Sequence, residues 1–245
     1  MSRIIDIQNE QDWDEAIAAA AAAVSAGEII IFPTDTVYGI AASAFDADAV
    51  AALLAAKGRD RQKPPPVMAS NTMVARALTV DFPQYASELA EAFWPGALTM
   101  VLPALPTLDW DLGETGGTVA LRVPDLPFLQ KLLQATGPLA VTSANITGRD
   151  PARTAAHADE EFGPEVKHIF DGGPVGSGPV STIVDCTGPV PKPLRMGALT
   201  MEQLREVTKF GADLRAGQGA GTEQAASAEH VESAEPADPE GTPSS

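Results

Sequence analysis

The rhythm of apolar and polar positions changes several times along the 245-residue chain. Residues 12–26 form an alanine-rich run closed by Gly27, which predicts a helix. Residues 28–32 (EIIIF) are short and β-branched, the pattern of a buried strand, and Pro33 ends it. Asp46 or Asp48 can cap a second helix that runs to Lys57, with Gly58 as its C-terminal glycine. Beyond it the pattern predicts a strand at 66–70, helical stretches at 72–78 and 84–93, and a turn then a strand across 94–104 (WPGALTMVLPA). Residues 118–124 (TVALRVP) alternate as a strand, 126–135 form an amphipathic helix closed by Gly137-Pro138, and 139–145 (LAVTSAN) read as a strand entering a polar turn. Short strands follow at 167–170, 181–186 and 192–195, then a last helix at 200–209. Alternating strands and helices early, with closely spaced strands late, predict a single α/β domain over residues 1–211, its twisted mixed β-sheet flanked by helices. No internal repeat is evident.

Charge adds one anomaly. The chain carries 16 Lys+Arg against 33 Asp+Glu, a formal net charge of −17. Yet Lys57, Arg59, Arg61 and Lys63 fall within the single stretch KGRDRQK. They lie where a helix is predicted to end, so the first complements the helix dipole and the others sit on a loop, free to reach a ligand. Residues 212–245 are mostly Gly, Ala, Ser, Glu and Pro, with seven acids and one arginine, and are expected to be a disordered acidic tail. The preceding 211 residues still hold −11 of the total charge, which argues against a broad nucleic-acid surface. Any contact with a polyanion must be local.

Several chemistries drop out. One cysteine, Cys186, excludes an internal disulfide framework and fits a reducing compartment; its β-branched surroundings suggest a packing thiol, not a nucleophile. The N-terminal residues lack an apolar signal segment, and no apolar run reaches the roughly 18 residues of a membrane span. A cytoplasmic location, without membrane attachment, is the expectation. His157, His168 and His230 are far apart, with no CxxC or HExxH, so no protein metal cage is expected. No G-x-S-x-G elbow, Walker A loop or strand–GxGxxG–helix unit appears.

What remains is a set of polar residues at strand ends: PTDTVYG (33–39), the basic stretch, Arg122 within its strand, TSAN (142–145), STIVD (181–185) and Arg195. Ligands of α/β sheets commonly bind where strand ends and loops converge. Hydroxyls, one amide and several cations would suit an anionic, hydroxyl-bearing ligand, with the basic stretch as a polyphosphate clamp.

In this order PTDTVYGI, KGR with KP just after, WPGALTMVL, VALRVPD, TSANITG, STIVD and LRMGA resemble the YrdC-like family, the L-threonylcarbamoyladenylate synthases of tRNA modification. The likeness is collinear through about residues 10–210 and lacks the additional C-terminal domain of longer members. The resemblance implies that L-threonine, bicarbonate or CO2, and ATP are converted to threonylcarbamoyl-AMP, pyrophosphate and water. It further implies that Mg2+ is carried with the triphosphate, and that the product passes to a downstream tRNA threonylcarbamoyl-transfer complex, with at most a weak tRNA contact of its own. By the same likeness Lys57, Arg59, Lys63, Thr118, Asn145 and Arg195 should bind ATP, Lys57 and Arg59 being the catalytic pair. Thr34, Thr36, Arg122, Ser143 and Ser181 should bind threonine, with Arg122 on its carboxylate. Three positions depart from the pattern: Pro65-Pro66 after Lys63-Pro64, Met68 where part of the family has a histidine, and Ala97 in place of a proline.

Two other readings compete. An RNA-binding module without turnover would use the same cations, against an acidic balance and an aromatic content of 5%. A carbamoyl-adenylate-forming module would keep the fold, but such relatives carry zinc-finger and acylphosphatase domains, for which this chain has neither the cysteines nor the room.

Overall fold

A computed structural model describes residues 2–163, 165–176 and 178–210. The expected acidic tail, 212–245, lies outside the described residues. One ten-stranded sheet organises the described chain, and its strands run β1 (Arg3–Asp6), β2 (Ile30–Pro33), β3 (Tyr38–Ser43), β4 (Val67–Met68), β5 (Leu98–Pro103), β6 (Thr118–Arg122), β7 (Leu139–Ser143), β8 (His168–Asp171), β9 (Thr182–Asp185) and β10 (Lys192–Arg195). Their spatial order is β1-β8-β2-β3-β7-β4-β6-β5-β9-β10. The pairs β1/β8, β2/β8, β4/β6 and β5/β9 are parallel and the other five antiparallel, so the sheet is mixed as expected. Among the described residues no helix is long and apolar enough to cross a membrane.

Helices cover the sheet unevenly. On one face α2 (Ala47–Ala56), α3 (Thr72–Ala77), α4 (Gln84–Phe93), α6 (Ala155–Phe162) and α7 (Met201–Val207) contribute Leu53, Ala75, Leu89, Phe162 and Leu204 to a continuous core under Ile31, Ile40, Met100 and Leu121. On the other face α1 (Trp13–Ser25) and α5 (Pro127–Thr136) pack Ala20, Val24, Phe128 and Leu132 against Ile30, Phe32, Val141 and Phe170. Trp13 meets Phe128 edge-on, with centroids 5.6 Å apart. The strands from β4 outward have no such helical pair. Alternation along them shows why. Leu98, Met100 and Leu102 of β5, Val119 and Leu121 of β6, and Val184 of β9 all enter the first core. The opposite positions, Thr99 and Val101, Thr118, Ala120 and Arg122, and Ile183, form a bare sheet face.

Three of the strands and α-helices were not anticipated from the pattern. β1 is a four-residue edge strand with largely exposed side chains, and pairing with β8 defines it. β3 (YGIAAS) is rich in small residues of low strand preference and is imposed by its ladders with β2 and β7. α6 is a short polar helix fixed by a Thr154 cap, whose side chain accepts from the His157 N–H. Between the two candidate caps of α2 the structure selects Asp46, which accepts from the Ala49 N–H at 2.9 Å.

Cys186 sits in the first core at 1% exposure, and burial pushes its thiol up to about 12. Native protein at pH 8 should therefore react with a thiol reagent only at the rate of global opening, and stoichiometrically once denatured. Fast labelling of the native protein would place Cys186 at the surface and contradict this packing.

Candidate functional site

The bare face is the floor of a cleft of about 390 Å³. Its walls are the β2–β3 turn, the prolines after the basic stretch, the end of β7 and the segment from Val180 through Arg195. Eight of the eleven residues expected at a ligand line it: Thr34, Thr36, Arg59, Thr118, Arg122, Ser143, Ser181 and Arg195. Lys57, Lys63 and Asn145 do not.

The basic stretch divides its four cations among different tasks. Gly58, at φ +58°, turns the chain out of α2, where a side chain would be strained, so that Lys57 and Arg59 leave in different directions. Lys57 is 2% exposed and points inward. Its Nζ donates to the carbonyls of Ser143 at 2.5 Å and Asn145 at 2.6 Å, with Asn145 Oδ1 at 3.4 Å. Those acceptors use its three directions, so Lys57 holds the TSAN turn instead of presenting a charge to the cleft. Asn145 works inside the same turn. Its Oδ1 accepts from Ser143 Oγ at 2.5 Å, and its Nδ2 donates to the carbonyls of Ile146 and Arg149. Arg61 pairs with Asp111 at 2.7 Å on the surface, and Lys63 is exposed. Arg59 alone of the four faces the cleft. It is steadied by the carbonyls of Lys63 (2.6 Å) and Pro64 (3.2 Å) and by Thr142 Oγ1 (2.9 Å).

Two further guanidinium groups converge with it. Arg195 donates to the carbonyl of Ser181 from Nε (3.2 Å) and Nη2 (2.8 Å), and to Ser181 Oγ at 3.1 Å. Arg122, 4% exposed, is held on three sides. Its Nε donates to the Gly96 carbonyl (3.0 Å), Nη1 to Thr36 Oγ1 (3.2 Å) and Nη2 to Asp35 Oδ1 (2.6 Å). Burial first, and then mutual repulsion, lower the proton affinity of Arg59, which feels Arg195, and of Arg195, which feels Arg122. The cleft is thus a concentrated positive site in an acidic protein.

The β2–β3 turn supplies the hydroxyls. Thr34 Oγ1 accepts from the backbone N–H groups of Thr36 (3.1 Å) and Val37 (3.2 Å) and donates to the Val37 carbonyl (2.7 Å). The two hydroxyls lie 3.0 Å apart, and Thr36 Oγ1 also accepts from Arg122 Nη1. A relay therefore ties the guanidinium to the turn.

Two participants were missed from the sequence. Asp35 lay within PTDTVYG without a role assigned. Thr99, 1% exposed, lines the cleft and donates to Ser181 Oγ at 3.0 Å. A polar residue between Leu98 and Met100 was its signal. Met68 and the three consecutive prolines also line the cleft, while the Ala97 carbonyl accepts from the Thr182 N–H and aligns β9.

Comparison with known proteins places this geometry. Residues 22–197 match the Sua5/YciO/YrdC family model, described as telomere recombination. A putative threonylcarbamoyl-AMP synthase of Mycobacterium tuberculosis is 44% identical over 207 residues, covering 84% of this chain and 95% of the relative. The threonylcarbamoyl-AMP synthase of Bacillus subtilis is 38% identical over 206 residues, covering 83% of this chain and 60% of the relative. The crystal structure of P. abyssi Sua5 complexed with L-threonine superposes with a TM-score of 0.79 at 35% identity, over 84% of this chain and 61% of that one. The chain thus spans about three fifths of these last two relatives.

Burial, followed by the charge of Arg59, brings the Lys57 ammonium down from 10.5 to about 8. Between those values the unfolded chain binds more protons than the folded one, so this group's contribution to stability rises with pH. The wild type should accordingly gain on a Lys57→Met variant from pH 8 to pH 10.5, by up to about 3 kcal/mol in denaturant unfolding. A difference that stays flat or shrinks across that window would mean that Lys57 remains charged.

Proposed function

Since the chain belongs to the Sua5/YciO/YrdC family, we propose that it is an L-threonylcarbamoyladenylate synthase, converting L-threonine, bicarbonate or CO2, and ATP to threonylcarbamoyl-AMP, pyrophosphate and water. The observation that carries this reading is the convergence of Arg59, Arg122 and Arg195 on one cleft lined with hydroxyls. The reaction brings a carboxylate and a triphosphate together, and three guanidinium groups supply matching donors.

The threonine amine takes up CO2 as a carbamate, whose oxygen attacks the α-phosphorus while pyrophosphate departs in line. Such a displacement needs positioning and charge neutralisation more than a strong base. Arg59 and Arg195 neutralise the phosphates, with Thr118 beside them. Arg122 takes the threonine carboxylate through N–H groups not used by Gly96, Thr36 and Asp35, among the hydroxyls of Thr34, Thr36, Ser143 and Ser181. Lys57 and Asn145 act from behind by holding the Ser143 turn. Mg2+ enters with the triphosphate as part of the substrate. The product would serve a cytoplasmic tRNA threonylcarbamoyl-transfer complex, in the formation of N6-threonylcarbamoyladenosine.

Pyrophosphate release should depend on L-threonine together with ATP, Mg2+ and bicarbonate. Arg122→Ala should raise the threonine KM about ten- to hundredfold, the worth of a charge-assisted contact. Arg59→Ala should lower kcat and raise the ATP KM instead. Release independent of threonine would remove the synthase assignment, and no release from folded protein would remove it in favour of RNA binding without turnover.

A further inference from the structure

Of the three arginines in the cleft, one is treated differently. Arg59 and Arg195 donate only to carbonyls and hydroxyls among the described residues, whereas Arg122 also meets a carboxylate, Asp35, at 2.6 Å. The Arg122 and Asp35 side chains are 5% and 15% exposed, so the pair is largely desolvated. A counter-ion in this position weakens the pull of Arg122 on any bare anion. For a site that needed only to bind a carboxylate it would be a cost, because a buried ion pair offsets little of its own desolvation. The atoms left over suggest its use. Arg122 donates through three of its five N–H groups, leaving two. Asp35 Oδ2 accepts nothing from the described residues, and the side chain keeps 15% of its exposure. Asp35 does not itself line the cleft, but its neighbours Thr34 and Thr36 and its partner Arg122 do. An unspent donor pair beside an unspent acceptor of opposite charge is complementary to a zwitterion.

We propose that the Asp35–Arg122 pair is a receptor for the α-amino acid zwitterion, Arg122 taking the carboxylate and Asp35 the ammonium. This rests on the synthase reading and deepens it by naming the residue that selects an amine-bearing substrate. Asp35 thereby lets the threonine subsite reject carboxylates without an amine, and phosphate or pyrophosphate, which Arg59 and Arg195 hold without competition from Arg122. The nitrogen that must receive CO2 is fixed at the same time, beside a carboxylate that can accept the proton the ammonium has to lose before its lone pair adds to CO2.

The test compares L-threonine with 3-hydroxybutanoate, the same acid without the amine, in wild type, Asp35→Asn and Asp35→Glu. The asparagine keeps an acceptor for Arg122 Nη2 and removes the charge, so packing is preserved. Binding of both compounds is read by calorimetry, and the threonine KM by pyrophosphate release. The wild type should prefer threonine by tenfold or more. In Asp35→Asn the preference should shrink about tenfold, threonine binding more weakly and 3-hydroxybutanoate and pyrophosphate more tightly. Asp35→Glu should restore part of it. A merely structural role would weaken both compounds alike and leave their ratio unchanged, which would overturn the proposal. So would an asparagine variant that unfolds while folded Asp35→Glu retains no preference for the amine. Failure of the wild type to release pyrophosphate with threonine would instead refute the synthase reading on which this one stands.

Discussion

Three guanidinium groups within one cleft repel each other, and in an acidic protein nothing about the overall charge requires them to be close. Their convergence has to be enforced by the backbone. Each is anchored by oxygen atoms whose positions are set by main-chain structure: Arg59 by the carbonyls of Lys63 and Pro64, Arg122 by that of Gly96, Arg195 by that of Ser181. Carbonyl anchors stabilise a guanidinium without cancelling its charge, so the field of the cleft is preserved for a ligand. Asp35 is the exception, and it touches one arginine only. The electrostatic character of the site therefore follows from where the sheet and its loops place carbonyl groups.

The sheet makes this placement possible by leaving part of one face uncovered. α1 and α5 close the face over the β8-β2-β3-β7 region, and β4, β6, β5 and β9 continue past them. Period-two alternation then does two jobs at once. Leu121 and Val119 enter the core while Arg122, Ala120 and Thr118 face the cleft, and β5 repeats the arrangement with Met100 and Thr99. A shift of one residue in the pairing of β5 with β6 would bury a row of polar groups and expose the core, so site and stability share one register.

Much of this was legible in the sequence because apolar rhythm and polar strand ends are local signals. The strands that carry Arg122 and Ser143 and the one that starts just after Ser181 read directly, and eight of the residues expected from the family resemblance line the cleft. The remainder depended on long-range geometry. β3 has the small residues YGIAAS and becomes a strand through neighbours about a hundred positions away on one side. The dense positive stretch read as one clamp, yet its members diverge because a helix end, a left-handed glycine and a loop rotate successive side chains apart. Lys57 turns into the protein, Arg61 finds Asp111, and Arg59 alone reaches the cleft. Asp35 and Thr99 were overlooked because neither is unusual in its local sequence. Only the approach of Arg122 and Ser181 gives them a role.

The central claim is that this cleft joins a carbamate to the α-phosphate of a nucleotide, and the most direct measurement is the identity of the product. Protein incubated with ATP, Mg2+, L-threonine and 13C-bicarbonate should yield threonylcarbamoyl-AMP carrying the label in its carbamoyl carbon, detected by mass spectrometry, with one pyrophosphate per adenylate. ATP consumed to ADP and phosphate, or an adenylate without the labelled carbon, would contradict the account.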